Sequence, residues 1–241
     1  MILKTLAICI KNTRYGESSV ISKMFSLEFG LCAFMAQGIN RKSSAIKPSH
    51  LAPGNILELV IYQKPNASIH RIKELKIQTP LLQIHTDFRK NAVLQFMLEI
   101  IAKTSEEQHK DEIVFNFLKT SILDLEDRTE DFGMAPFYFL SQYLKFSGWF
   151  PNLEVWEDGM KFNIVEGRFE IENDLGSEKQ LSSEHSKSLY QSLLSVQNNT
   201  SEFKEIAFKR ELFNTLLTYF ELHLLKGKKI KSPTILAEVF S

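Results

Sequence analysis

The sequence predicts an α+β protein in which an N-terminal five-stranded β-barrel is followed by an all-helical region carrying a small β-like insertion. Three observations predict it. Up to residue 80 the apolar residues fall in short runs, several alternating with period two, separated by turn chemistry. Beyond Pro80 the apolar period becomes that of a helix. The charge changes sign at the same place: residues 1–80 hold 8 Lys and 3 Arg against 4 Glu, a net of +7, and residues 81–241 carry the opposing −7.

The expected strands are 3–10, 20–27, 31–39, 56–62 and 69–77, rich in Ile, Val, Leu and Phe. Tyr15-Gly16, Phe29-Gly30, Pro53-Gly54 and Pro65-Asn66 supply the turns between them. Five short strands suit a closed or half-closed barrel of the OB type, whose ligands are typically oligonucleotides. Periodicity alone leaves an SH3-like barrel open. Residues 87–103 follow with Phe88, Val93, Phe96, Met97, Ile100 and Ile101 at helical spacing. Further helices are expected at 112–125, 136–146, 183–194, 202–225 and 233–240, with Phe115, Phe117, Phe137, Phe139 and Phe146 as core. At about 150–176 the helical period lapses into β-like pieces around 161–164 and 168–171, and 177–184 reads as an exposed polar segment. The expected division is 1–80, a nucleic-acid-binding barrel, and 81–241, a helical domain.

The composition, 44% hydrophobic and 24% charged over 241 residues, is that of a chain able to bury a core. No apolar run approaches the roughly 18–20 residues that cross a bilayer, so no membrane partner is expected. The first residues lack the charge pattern and cleavage site of a signal peptide. Cys9 and Cys32 read as small buried hydrophobes in a reducing compartment, with neither a disulfide framework nor metal-ligand spacing. G-x-G-x-x-G, P-loop, H-E-x-x-H and G-x-S-x-G motifs are all missing. The acidic cluster Glu126, Asp127, Glu130 and Asp131 reads as a solvated helix end, and His223 as a packing or capping residue. The expectation is therefore a non-enzymatic protein with no cofactor and no metal.

A basic barrel invites a polyanion. Residues 37–54 carry Arg41, Lys42 and Lys47 with no Asp or Glu, between two strands. With Arg14, Lys64, Arg71 and Lys73 they form the expected phosphate contacts, each releasing a condensed counterion on binding. Tyr15 and Tyr62 are the expected stacking platforms for bases, while Phe25 and Phe34 are expected to fill the barrel. RNA and acidic proteins fit the same charge, so an RNA-binding or protein-adaptor module is the alternative.

Several segments carry a resemblance. Arg14-Tyr15-Gly16-Glu17-Ser18, Phe29-Gly30, Gly38-Ile39-Asn40-Arg41-Lys42 and Pro48 with Leu57-Glu58-Leu59 stand at the start. Gly148, Pro151 and Leu153 stand mid-chain, and Tyr219, His223, Leu224, Lys231, Ser232 and Leu236 near the end. Together, in order and over the whole length, they resemble the RecO family of bacterial DNA repair proteins. The resemblance implies an OB barrel followed by a helical domain. It implies a recombination mediator that binds single- and double-stranded DNA and anneals complementary strands. It further implies work with RecR, and with RecF indirectly or weakly, to help RecA replace single-strand-binding protein, in the cytoplasm at the nucleoid. The acidic C-terminal tail of single-strand-binding protein would meet one of two basic clusters: Lys204, Lys209 and Arg210, or Lys226, Lys228, Lys229 and Lys231. Many relatives follow P-x-L with a C-x-x-C pair and a later second pair that bind zinc. Here Trp156 and Gly159 fall where the first pair would be, so a zinc-less insertion packed through Trp149, Trp156, Phe162 and Phe169 is expected.

Overall fold

Strand β1 (Ile2–Tyr15) pairs antiparallel with both β2 (Ser19–Ser26) and β4 (Ile56–Tyr62), its first half on β4 and its second half on β2. The computed structural model describes residues 1–39, 45–63, 67–129, 132–171, 181–199 and 209–240. Strand β3 (Gly30–Gln37) pairs antiparallel with β2 and parallel with β5 (Ile69–Thr79), and β5 returns antiparallel to β4. The order β1-β2-β3-β5-β4 closes on itself. This is the five-stranded barrel of the OB type.

Alternation decides which side chains fill it. Ala7, Cys9, Val20, Met24, Cys32, Phe34, Leu57, Leu59, Ile61 and Ile72 point inward into one apolar core. The 3-10 turn Pro48–Leu51 drops Leu51 into the same core, and Leu51's carbonyl takes hydrogen bonds from the Cys9 thiol (2.9 Å) and Asn12 Nδ2 (2.6 Å). The opposite parity is buried too: Ile8, Phe25, Leu31 and Ile56 are all at most 1% exposed. Phe34 thus fills the barrel as expected, but Phe25 does not. Its neighbour Met24 faces inward, so Phe25 faces outward, where its ring lies 6.2 Å from Phe115.

Phe115 belongs to α3 (Glu112–Asp127), which follows α1 (Leu82–Thr86) and α2 (Phe88–Thr104). Asp87 and Asp111 cap α2 and α3 by accepting backbone N–H bonds from Arg89 and Val114. Glu126 is not a solvated helix end. Its two carboxylate oxygens accept the Gln83 and Ile84 amides, both at 2.8 Å, and so cap α1, where no local side chain does. Glu130 and Asp131 lie outside the described residues.

By contacts the chain forms two compact units, Met1–Arg128 with Ser232–Ser241, and Thr129–Lys231. The change from strand to helix falls at Pro80, while the division between units falls at Arg128. The last helix, α7 (Ser232–Val239), packs on α2, and the Ser232 amide donates to Glu99 Oε2 at 2.8 Å.

The second unit contains α4 (Ala135–Phe146), the hairpin β6 (Lys161–Asn163) and β7 (Arg168–Glu170), α5 (Ser183–Gln197) and α6 (Lys209–His223). Its β-hairpin is held by aromatic packing: Phe162 meets Phe169 and Tyr219, and Trp156 sits between Phe169 and Tyr190. Trp149 stacks on His223, whose Nε2 lies 3.1 Å from the Ile164 carbonyl. The expected β-like insertion is therefore present and packed through the four aromatics read from the sequence. Gly167 is required there, since a Cβ at its φ of +65° would meet the Tyr219 hydroxyl at 2.6 Å.

Candidate nucleic-acid interface

The ladder registers place residues of all five strands in a single row on the outside of the barrel, with β1 at both of its ends. Thr13 faces Ile21, Ile21 faces Met35, Met35 faces Arg71, Arg71 faces Tyr62, and Tyr62 faces Ile2. Directly paired residues project from the same side, so these six share one face. The parity of the core puts that face outward. In the next row Tyr15 faces Ser19, which faces Gln37. Tyr15 is 58% exposed and Tyr62 40%, so both rings are open to a ligand, and Tyr62 is so directly after the fully buried Ile61.

Tyr62 and Arg71 meet directly. The guanidinium carbon stands 6.0 Å from the ring centroid, within reach of a cation–π contact. With Gln37, Ala45, Ile46 and Lys73 they line a groove of about 250 Å³. Lys73 occupies the bulge in the β4–β5 ladder, between the residues paired with Ile61 and Val60. It bonds Glu74 at 2.9 Å, and that hydrogen bond holds its ammonium above the ordinary lysine pKa. A larger hollow, about 530 Å³ on another part of the barrel, is lined by Glu28, Glu58 and Glu74 as well as Lys4 and Lys76. Three carboxylates make it a poor seat for phosphate, and the smaller groove is the better match to an anionic ligand.

The residues singled out from the sequence fall into three sets. Tyr62, Arg71 and Lys73 come together in the groove. Arg14 and Tyr15 are exposed at the end of β1, beside the turn to β2, and Lys47 is exposed next to the groove residues Ala45 and Ile46. Arg41, Lys42 and Lys64 lie outside the described residues. In the OB architecture the face of the second and third strands and the loops after strands one and four form the ligand site. Tyr15 flanks the first of those loops, and Tyr62 and Arg71 flank the second. Sequence reading missed Ile21, Met35 and Gln37 on this face, and Lys11 and Lys23, which face each other across β1 and β2. Strand parity carried the signal. It became usable once Val20, Cys32 and Phe34 had defined the inner side.

In the second unit, Lys209 and Arg210 are exposed at the start of α6, while Lys226 and Lys228 are exposed beyond its end. The helix separates the two groups by about 22 Å at 1.5 Å per residue. Lys229 differs from its neighbours: its ammonium bonds the buried carboxylate of Glu221 at 2.7 Å, and the other oxygen of Glu221 accepts the Ile230 amide. Lys204 lies outside the described residues. Burial lifts both barrel thiols, Cys9 to about 11 and Cys32 to about 12, which leaves them protonated at neutral pH.

Two family profiles match the chain. That described as Recombination protein O N terminal covers residues 1–81, and that described as Recombination protein O C terminal covers residues 85–232. Among curated relatives, the DNA repair protein RecO of Flavobacterium psychrophilum is 32% identical and that of Flavobacterium johnsoniae 30%. The RecO of Bacteroides fragilis is 27% identical, and in all three the similarity runs the full length of both chains. Barrel topology, the helical region after it and full-length similarity agree: the chain belongs to the recombination protein O family.

Proposed function

We propose that this chain is a DNA repair protein acting as a recombination mediator, and that it binds single-stranded DNA across the outer face of the barrel. The observation that carries the reading is the cross-strand row that brings Arg71 against Tyr62, with Tyr15 in the next row. Bases stack on the exposed rings at about 1–3 kcal/mol each, independent of sequence. Arg14, Lys47, Arg71 and Lys73 take phosphates, joined by Arg41, Lys42 and Lys64 from the connecting segments. An OB barrel typically covers about 4–16 nucleotides, room for more than one such platform.

Annealing on such a face requires no general acid or base. Two strands are held at high local concentration with their repulsion screened and their bases accessible. RecR, RecF more weakly, and the acidic tail of single-strand-binding protein are the proposed protein partners in loading RecA. Lys209 with Arg210, or Lys226 with Lys228, would receive the tail. The test is a salt titration of the full chain on single-stranded DNA of unrelated sequences, alongside an annealing assay and competition by RNA of equal sequence. Similar affinities across sequences, a steep salt dependence and strand annealing are expected. Binding that ignores ionic strength, or that RNA dominates, would overturn the reading.

A further inference from the structure

The outer face of β1 and β2 carries a second basic feature that the groove does not include. Lys11 and Lys23 are direct cross-strand partners. Two like charges in that arrangement repel, which makes the pair unfavourable to fold unless an anion lies close. Glu107 supplies one: its carboxylate meets the Lys23 ammonium at 2.7 Å. The Glu107 carboxyl is in turn held below its ordinary pKa by that hydrogen bond.

Glu107 reaches this place by main-chain geometry. The segment 105–111 between α2 and α3 runs alongside the start of β3, with Glu107 bridging to Leu31 and the Gln108 amide donating to the Leu31 carbonyl at 3.0 Å. Gln108 adopts a left-handed φ of 59° to do so. Gly30 admits the strap, since a Cβ there would stand 1.8 Å from the His109 carbonyl oxygen. Lys110 ties the far end to Glu28 at 3.4 Å. The strap thus lies at the border between the part of the outer face covered by helices, at Phe25, and the open part at Ile21 and Thr13. Lys23 stands on that border, two pairs along from Thr13 and Ile21 and on the same outward side.

We propose that Lys11 and Lys23 form a further phosphate contact of the nucleic-acid face, and that Glu107 occupies it as a built-in anion until a DNA phosphate displaces it. The inference rests on the proposed DNA-binding reading of this face. Its consequence for ion linkage is specific. When phosphate displaces Glu107, the released carboxylate gathers a cation from solution, which cancels the counterion that Lys23 frees from DNA. The parent therefore shows a shallower salt dependence than its count of cations implies.

The experiment uses the full-length chain, oligo(dT) and salt titrations, with a melting curve for each variant. Glu107→Gln should bind more tightly and steepen the slope of log affinity against log salt by up to about 0.7, the single-strand value for one phosphate. Lys11→Gln, whose side chain has no such carboxylate partner among the described residues, should make the slope shallower by about the same amount. Lys23→Gln should weaken binding with the slope near the parent's. In the Lys23→Gln background the Glu107→Gln effect should vanish. An E107Q slope equal to the parent's, or an E107Q effect that persists without Lys23, would overturn the proposal. Tyr62→Ala and Arg71→Gln separate the two levels. If they weaken binding and the lysine variants do not, this inference alone fails; if they too bind like the parent, the face is not the DNA site and both readings fail.

Discussion

Tyr62 and Arg71 are nine residues apart in the chain and on different strands, and they meet because the β4–β5 ladder pairs them directly. Each was legible by type in the sequence, an aromatic and a cation in a basic domain. Their juxtaposition was not, because it depends on a register that shifts at the Val60/Ile61 bulge. Tyr62→Ala should lower affinity for single-stranded DNA by about 1–3 kcal/mol with the salt slope unchanged, since a stacked base carries no counterion. Arg71→Gln should reduce that slope by about 0.7. Equal slopes for both variants would remove the distinction between platform and phosphate contact. A second residue-scale effect lies inside the barrel. His70 is 6% exposed, its ring 4.7 Å from Phe29 and 5.8 Å from Phe34, and its Nδ1 lacks a hydrogen-bond partner among the described residues. Burial lowers its pKa below the ordinary 6.5. The unfolded chain therefore takes up this proton first as pH falls, so the contribution of neutral His70 is complete above pH 6.5 and is lost below it. Denaturant melts from pH 7.5 to 5 should show a steeper loss of stability in the parent than in His70→Gln. Parallel curves would mean that His70 is not the group responsible.

At the scale of elements the sequence showed its strands and long helices, and it failed where a distant partner sets the outcome. Strand β1 runs to Tyr15 although apolar alternation stops at Ile10, because β2 supplies pairing for Lys11 through Tyr15. Helix α1 has five residues and no local cap; it depends on Glu126, more than forty positions away. Phe25 was misjudged because alternation separates two faces without saying that helices cover the outer one. The aromatic packing of the hairpin, by contrast, was legible, because Trp156, Phe162 and Phe169 are close in sequence. The strap at 105–111 was invisible, yet Gly30 is its signature in the structure. Gly30→Ala combines a left-handed φ of +62° with a backbone clash, so no side-chain adjustment relieves it. It should destabilise the barrel's unit by more than the roughly 1 kcal/mol of an ordinary substitution and break the Lys23–Glu107 ion pair. Gly16→Ala is the control, with a similar φ of +72° but open space around the new Cβ. If both glycine variants melt alike, the close approach of the strap is not what Gly30 permits.

Over the whole molecule, the charge asymmetry of the sequence is reapportioned by the fold. Residues 1–80 carry +7, but the unit Met1–Arg128 with Ser232–Ser241 holds 17 Lys and Arg against 14 Asp and Glu, a net of +3. Acidic residues of α2, α3 and their connection therefore temper the barrel from within its own unit, as Glu107 does at Lys23. The same membership governs stability. Residues 1–80 alone would bare Phe25, Ile8, Leu31 and Ile56, so a barrel fragment is expected to aggregate rather than bind as an isolated domain. The chain passes between the units twice, at Arg128 and again at Lys231, and its last ten residues return to the first unit. There Leu236 is 5% exposed on α7, against α2, and Glu99 holds the first turn of that helix through the Ser232 amide. Leu236→Ala should cost about 2–4 kcal/mol, in the usual range for emptying a buried leucine site. A chain ending at Lys231 should lose more. Hydrogen exchange gives the decisive readout, because it reports each unit separately. Both variants should lose protection in β1 through α3, and with it affinity for DNA, while α4 through α6 keep theirs. Loss of protection in Thr129–Lys231 with the barrel unchanged would show that α7 stabilises the other unit, and that the barrel's core closes without the end of the chain.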